Sequence, residues 1–381
     1  MKDRFCAILP LFGLMVALLF VPACDRKERI EKEFADVREV LSAGQADVRF
    51  AKALAPRQFV FPDDAGPHPK FRSEWWYYTG NLETKNNRRF GYQLTIFRQA
   101  LSGKPVDSQS LWRTNQIYMG HFAITDVEEN RFFSFSRAAR GALGLAGARS
   151  DPYRVWVEDW EIGGNHRAPS IRAKENTVSI ELKLQSEKGE ILQGNDGLSA
   201  KSAGIGNSSY YYSQTRLTTA GKLSVEGQTF RVTGLSWLDR EWSTSSLGKD
   251  EVGWDWFSIQ LDDRREIMLY VIRKRDGTRS PLSSGSLVLA NGEKIPLVRK
   301  DFQITVLDFW TSPRTSVRYP SRWRIVVAGA DLEAEISPLI ANQEHRHDFV
   351  YWEGAVSVQG DGVSGRGYVE LVGYEKENQN R

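Results

Sequence analysis

The stretch from Gly234 to Leu261, GLSWLDREWSTSSLGKDEVGWDWFSIQL, constrains this chain more than any other. It sets four tryptophans (Trp237, Trp242, Trp254, Trp256) among Asp239, Arg240, Glu241, Glu251 and Asp255. Indole surface favours burial, whereas carboxylates are costly to bury unless paired or neutralised. The wall of a cavity meets both demands, with rings around an apolar space and a few polar groups converging on it. The stretch is therefore expected to floor a ligand pocket and to form the seam between two related domains.

Around it the texture is that of an all-β protein. Short runs rich in β-branched and aromatic residues alternate with Gly, Asn, Asp and Ser turns. Phe90–Arg98, Met119–Asp126, Arg154–Ile162, Thr177–Gln185, Thr229–Ser236, Glu266–Arg273 and Arg322–Ala328 each read as one strand. Val178, Ile180, Leu182 and Leu184 alternate with Ser179, Glu181 and Lys183, which gives one dry and one wet face. Two segments recur. Trp75–Leu82 aligns with Trp254–Leu261, and Ser224–Gly227 with Ser357–Gly360. Two copies of one β unit are expected, residues 57–242 and 243–376.

The first 56 residues differ. Lys2 and Arg4 precede an apolar run from Phe5 to Val21, and Ala23-Cys24 follows. This predicts a signal peptide over residues 1–23. Cys24 fits the lipidated first residue of an exported, periplasmic-side lipoprotein held in the membrane of the cell envelope. Ordinary signal-peptidase cleavage and a retained anchor are the alternatives. Residues 24–56 carry Ile30, Phe34, Val37, Val40 and Leu41 at helical spacing, so a short helical tether is expected.

A formal charge of +3 without long basic blocks gives no reason to expect nucleic acid. Cys6 and Cys24 are the only cysteines, which leaves a mature chain no internal disulfide or thiolate metal cluster. His345 and His347 would share a strand face, but an exposed polar loop without a third ligand is the expectation, hence no metal. His121 reads as a core histidine. Gly141, Gly144 and Gly147 miss the dinucleotide spacing, and no cofactor is expected.

Several motifs resemble one known group. They are His68-Pro69 with Ser73-Glu74-Trp75-Trp76-Tyr77, Trp237-Leu238-Asp239-Arg240-Glu241-Trp242, Gly253-Trp254-Asp255-Trp256-Phe257, Tyr351-Trp352-Glu353-Gly354, and Gly367-Tyr368-Val369-Glu370-Leu371. Together they look like the AttH-type "predicted secreted hydrolase" family, related to carotenoid 1,2-hydratases. The resemblance implies two lipocalin-like β-barrel domains in tandem, with pockets for long apolar molecules. It also implies a hydrophobic small molecule or lipid as partner. A neighbouring ABC-type transporter permease, and hence a part in lipid traffic, is a further implication.

Two functions follow as expectations: binding of an isoprenoid or lipid, or acid catalysis on an isoprenoid by a hydratase or cyclase. Hydrating an isolated alkene needs a neutral carboxylic acid and aromatic faces for the cation. Asp239, Asp255 and Glu241 are the candidate acids. Trp76, Tyr77, Tyr212, Trp237, Trp242, Trp254 and Trp256 are the candidate ligand-binding residues, with Glu74, His121 and Arg240 as polar pocket or seam groups. The carotenoid hydratases carry His where this chain has Arg240, and an arginine there would hold a neighbouring carboxylate ionised. Asp239, Arg240 and Glu241 also fit a salt-bridge network closing the seam. Hydrolase chemistry is the weakest option, because Gly234-Leu235-Ser236-Trp237-Leu238 misses the nucleophile elbow at its last position.

Overall fold

The computed structural model describes residues 50–104, 110–245, 247–248 and 250–374. Cys24 and the apolar run before it lie outside them. So does the expected helical tether up to Arg49, while Phe50–Pro56 carries no helix.

The first sheet opens with a meander of β1 (Ser73–Glu83), β2 (Arg89–Ala100), β3 (Gln116–Asp126) and β4 (Arg131–Arg140). Five strands follow: β5 (Ala146–Ser150), β6 (Tyr153–Val157), β7 (Trp160–Asn165), β8 (Ala168–Glu175) and β9 (Val178–Ser186). Two fragments, β10 (Ile191–Leu192) and β11 (Leu198–Ala200), precede the long hairpin of β12 (Ser208–Val225) and β13 (Gln228–Ser243). The order is β4-β3-β2-β1-β13-β12-β9-β8-β7-β6-β5, so the first strand pairs with the last and the sheet curls into a nearly closed barrel.

The second sheet repeats this plan. Its meander is β14 (Glu251–Leu261), β15 (Glu266–Lys274), β16 (Ser284–Val288) and β17 (Lys294–Val298). Then come β18 (Phe302–Thr311), β19 (Arg318–Val327), β20 (Leu332–Pro338), the fragment β21 (Glu344–Arg346), and the hairpin of β22 (Val350–Gly360) and β23 (Val363–Val372). The order β17-β16-β15-β14-β23-β22-β20-β19-β18 again sets first beside last. The first sequence repeat falls on β1 and β14; the second falls on the end of β12 and its turn in one copy and on the end of β22 in the other. The fold is thus all-β, two lipocalin-like barrels in tandem.

One expected strand divides. Arg154–Ile162 is split between β6 and β7 by a two-residue turn, Glu158-Asp159, with Glu158 at a φ of 56°. Residues with an unbranched Cβ, such as Glu158, take that left-handed region more readily than β-branched ones. Elsewhere alternation rules, and β9 buries Val178, Ile180, Leu182 and Leu184.

Both barrel interiors are filled. Trp76, Tyr92, Trp160 and Trp242 pack the first, and Phe257, Trp323 and Trp352 the second. At roughly 1.5–3 kcal/mol per large apolar side chain buried, these lumens form cores. The open space lies instead where the outer faces of the two barrels meet.

Candidate functional site

Strand alternation builds the site. On β13, Trp237, Asp239 and Glu241 face the seam, whereas Leu238, Arg240 and Trp242 face the first barrel's interior. On β1, Trp75 and Tyr77 face the seam while Glu74 and Trp76 point inward, and Tyr211 on β12 joins the seam face. The second barrel answers with Trp254 and Trp256 of β14, Tyr270 and Ile272 of β15, and Glu370 of β23. With Phe97, Lys201, Leu247 and Phe349 these residues line a cavity that opens to solvent.

Asp239 stands on the first barrel's wall, 4% exposed. Tyr211 donates to its Oδ2 at 2.6 Å, and Ser213 and the Trp237 indole donate to its Oδ1 at 2.5 and 2.7 Å. Burial pushes its carboxyl up, the three donors pull it back, and the Glu241 charge adds to the rise, leaving it at about 7.

Glu370 stands on the opposite wall and accepts a single bond, from the Trp254 indole at 2.7 Å. Burial, reinforced by the charges of Asp239 and Glu241, raises its carboxyl to about 7 as well. Next to it lies the buried Glu353, with the Tyr77 and Tyr351 hydroxyls beside its carboxyl. Burial and the Glu370 charge push the Glu353 carboxyl far above the usual range, and the two hydroxyls pull it back only in part.

Glu241 faces the Lys201 ammonium at 3.3 Å. That ammonium rests over the Tyr270 and Tyr211 rings at 4.3 and 4.9 Å. Burial disfavours the Lys201 charge, but Glu241 and its neighbours more than offset this and raise its affinity for the proton.

The internal repeat places the two central carboxyls at equivalent positions. Asp239 pairs across β13–β1 with Tyr77, and Glu370 across β23–β14 with Trp256. Tyr77 and Trp256 correspond in the aligned segments. One strand further out, Ser213 pairs with Asp239 and Glu353 with Glu370. Each copy contributes one acid, and the outer neighbour differs in kind: a hydroxyl donor for Asp239, a second carboxyl for Glu370.

Of the residues singled out from sequence, Tyr77, Asp239, Glu241, Trp254 and Trp256 line the cavity, and Trp237 braces Asp239. Trp76, Tyr212, Trp242, Glu74 and Arg240 sit on the other face of the same strands, inside the first barrel. There Glu74 binds both Arg98 and Arg240, with the Arg240 guanidinium 3.9 Å over Trp76 and His68 stacked 3.7 Å from Trp242. Burial would push the Glu74 carboxyl up, but the two guanidiniums and His68 hold it far below the ordinary range. Arg240 thus turns away from Asp239. It neither joins Asp239 and Glu241 in a network nor keeps Asp239 ionised, because adjacent strand residues face opposite sides.

The same alternation separates Asp255 from the cavity. Its carboxylate meets Arg273 at 3.1 Å and the Tyr374 hydroxyl at 2.8 Å. His121 lies behind the cavity wall and bonds the Tyr351 hydroxyl at 2.8 Å. His345 differs from the expected exposed loop: it is fully buried on β21, stacked 4.5 Å from Tyr351. Even so, no group of metal-ligating side chains able to hold an ion occurs among the described residues. Glu370, Glu353 and Lys201 had no assigned role in the sequence. Glu353 and Glu370 sit inside the Trp- and Tyr-rich motifs of the last hairpin, and that was their only signal.

Comparison with known proteins fits this arrangement. A crystal structure from Nitrosomonas europaea assigned as AttH is 33% identical, with a TM-score of 0.77, and is covered completely by 85% of this chain. Kievitone hydratase from Nectria haematococca has the same fold at 17% identity, with a TM-score of 0.63 over 86% of this chain and 97% of its own. No curated protein matches the sequence. The AttH-like family profile spans residues 52–374, both barrels and the seam between them. The chain belongs to the AttH-like family.

Proposed function

We propose that this protein is an acid–base enzyme that adds water across a carbon–carbon double bond of a long apolar, isoprenoid-like substrate. The observation that carries the reading is the facing pair Asp239 and Glu370, one from each barrel, both raised to about 7 in an aromatic cavity. Two carboxyls that titrate near neutrality can hold one proton between them and exchange it with a substrate.

Glu370 suits the acid. It has one donor, and its outer neighbour Glu353 is neutral, so little stabilises its ionised form. Asp239, with three donors, suits the base. The Glu370 proton adds to one alkene carbon as the π bond breaks. The faces of Trp254, Trp256 and Tyr77 steady the cation on the other carbon. Water then bonds to that carbon and gives its proton to Asp239, and solvent exchange resets the pair. The occurrence of a hydratase on this fold in Nectria haematococca supports the reading at the level of fold alone. Lys2, Arg4, the apolar run and Cys24 support, as part of this reading, an exported and lipid-anchored protein acting at the envelope.

The test is incubation with isoprenoid alkenes in ¹⁸O-labelled water, followed by mass spectrometry. The expected product gains one labelled water, and Asp239→Asn and Glu370→Gln each lower turnover by about 100-fold or more. If no alkene gains water while wild type and both variants retain an apolar ligand alike, the cavity is a carrier's, the reading its apolar lining favours.

A further inference from the structure

The cavity lies toward one end of both sheets, and that end has an unusual surface. Register fixes it. Ser73 pairs with Gln99 and Ser243, Ala100 with Gln116, Ile117 with Arg140, and Ser209 with Ser243. The end of β4, the start of β3, the end of β2, the start of β1, the end of β13 and the start of β12 therefore share one edge. The lining residues Trp75, Phe97, Tyr211 and Glu241 sit within a few positions of it.

The connections leaving this edge carry six of the eleven large apolar side chains exposed among the described residues. Leu101, Leu111 and Trp112 lie between β2 and β3, Ile205 before β12, and Leu54 and Val60 in the segment entering β1. Leu143 and Leu145 belong to the loop that leaves β4 for the β6–β7 turn, where the Leu145 carbonyl accepts from the Glu158 amide. Trp112 is 67% exposed and Ile205 90%. At the opposite end, the turns at Thr84–Arg88, Val127–Asn130 and Glu226–Gly227 expose no large apolar side chain. Lys52, Lys70, Lys104, Arg113 and Arg140 are exposed on the apolar edge, against Asp63 and Asp250.

We infer that this edge rests on a lipid surface, with the apolar tips in the interface, the cations at anionic headgroups and the cavity mouth toward the bilayer. Exposed aromatic and aliphatic tips flanked by Lys and Arg are the chemistry that partitions into a membrane interface. Chain entry gives independent support. Residue 51 is tied to this edge, its amide donating to Lys70 O at 2.9 Å and its carbonyl accepting from the Thr244 hydroxyl. The 49 residues before Phe50, with the apolar run Phe5–Val21 and Cys24, therefore attach on the same side. The inference rests on the proposed apolar substrate only for its purpose, delivery from the bilayer into the cavity.

The test uses the full chain with Cys6→Ser and Cys24→Ser, bound to phosphatidylcholine vesicles containing phosphatidylglycerol. An environment-sensitive fluorophore is attached in turn at Trp112→Cys, Ile205→Cys and, on the far end, Asn130→Cys. These are exposed positions, and circular dichroism confirms folding. Emission at 112 and 205 is expected to shift to the blue and to be quenched by brominated acyl chains, while that at 130 stays as in water. Water-like emission at all three on bound protein, equal quenching at all three, or no vesicle binding overturns the proposal. Hydration activity in detergent is read separately. Activity without docking sinks only this inference, and docking without activity sinks only the reaction.

Discussion

Glu370 and Asp239 bind a proton more tightly in the folded protein than in the unfolded chain, where carboxyls titrate near 4. The folded state therefore loses stability as pH rises from about 4 to about 7, and the loss is complete above that window. Glu370→Gln is expected to flatten that decline and to raise the melting temperature at pH 8, measured by thermal denaturation across pH. Glu74 has the opposite sign. Its carboxyl is held low, so its contribution is present above about pH 4.5 and fades on acidification; Glu74→Gln should lower the melting temperature at neutral pH. Asp239 was legible in the sequence because an acid between tryptophans needs a special setting. Asp255 stands in the same company, and only its phase relative to Trp254 and Trp256 tells that it faces away. Glu370 and Lys201 were not legible, because their place depends on which distant strands pair.

At the scale of the element, β13 is a two-sided device. One face presents Trp237, Asp239 and Glu241 to the cavity, while the other locks the first barrel through Arg240 and Trp242. Removing Arg240 leaves Glu74 buried with Arg98 as its remaining guanidinium partner. Arg240→Met should cost about 3–5 kcal/mol in urea unfolding, and Glu74→Gln in the same chain should recover part of it. Glu241→Gln, on the cavity face, should alter stability far less. Treating Gly234–Leu261 as a single pocket floor located the seam, but it merged two faces that a period of two keeps apart.

At the scale of the whole molecule, the barrels are joined by buried polar contacts that neither can satisfy alone. Glu266 of β15 takes Lys188 at 2.7 Å and Arg216 of β12, and Gln260 donates to Thr215 O and Ser236 O at 2.8 and 2.9 Å. Asn81 donates to Gly367 O at 2.9 Å, and Thr125 to Gln343 at 2.7 Å. The two barrels should therefore melt in one calorimetric transition. Glu266→Ala, which strands two buried cations, should lower and broaden it or split it in two. The all-β character and the duplication were legible from alternation and repeated motifs, and the tandem barrels from the family resemblance. That the space lies at the seam of the two halves was legible too, from the tryptophans and carboxylates crowded into Gly234–Leu261; that both lumens are filled was not, since it results from packing.

The equivalence of Asp239 and Glu370 under the repeat has a bearing on ancestry. A single ancestral barrel associating with its twin about a dyad would have brought two identical acids face to face, forced to divide a proton evenly. Fusion of the twins into one polypeptide frees each site to drift. A hydroxyl now stands beside one acid and a second carboxyl beside the other, the asymmetry that the proposed reaction would use to tell donor from acceptor.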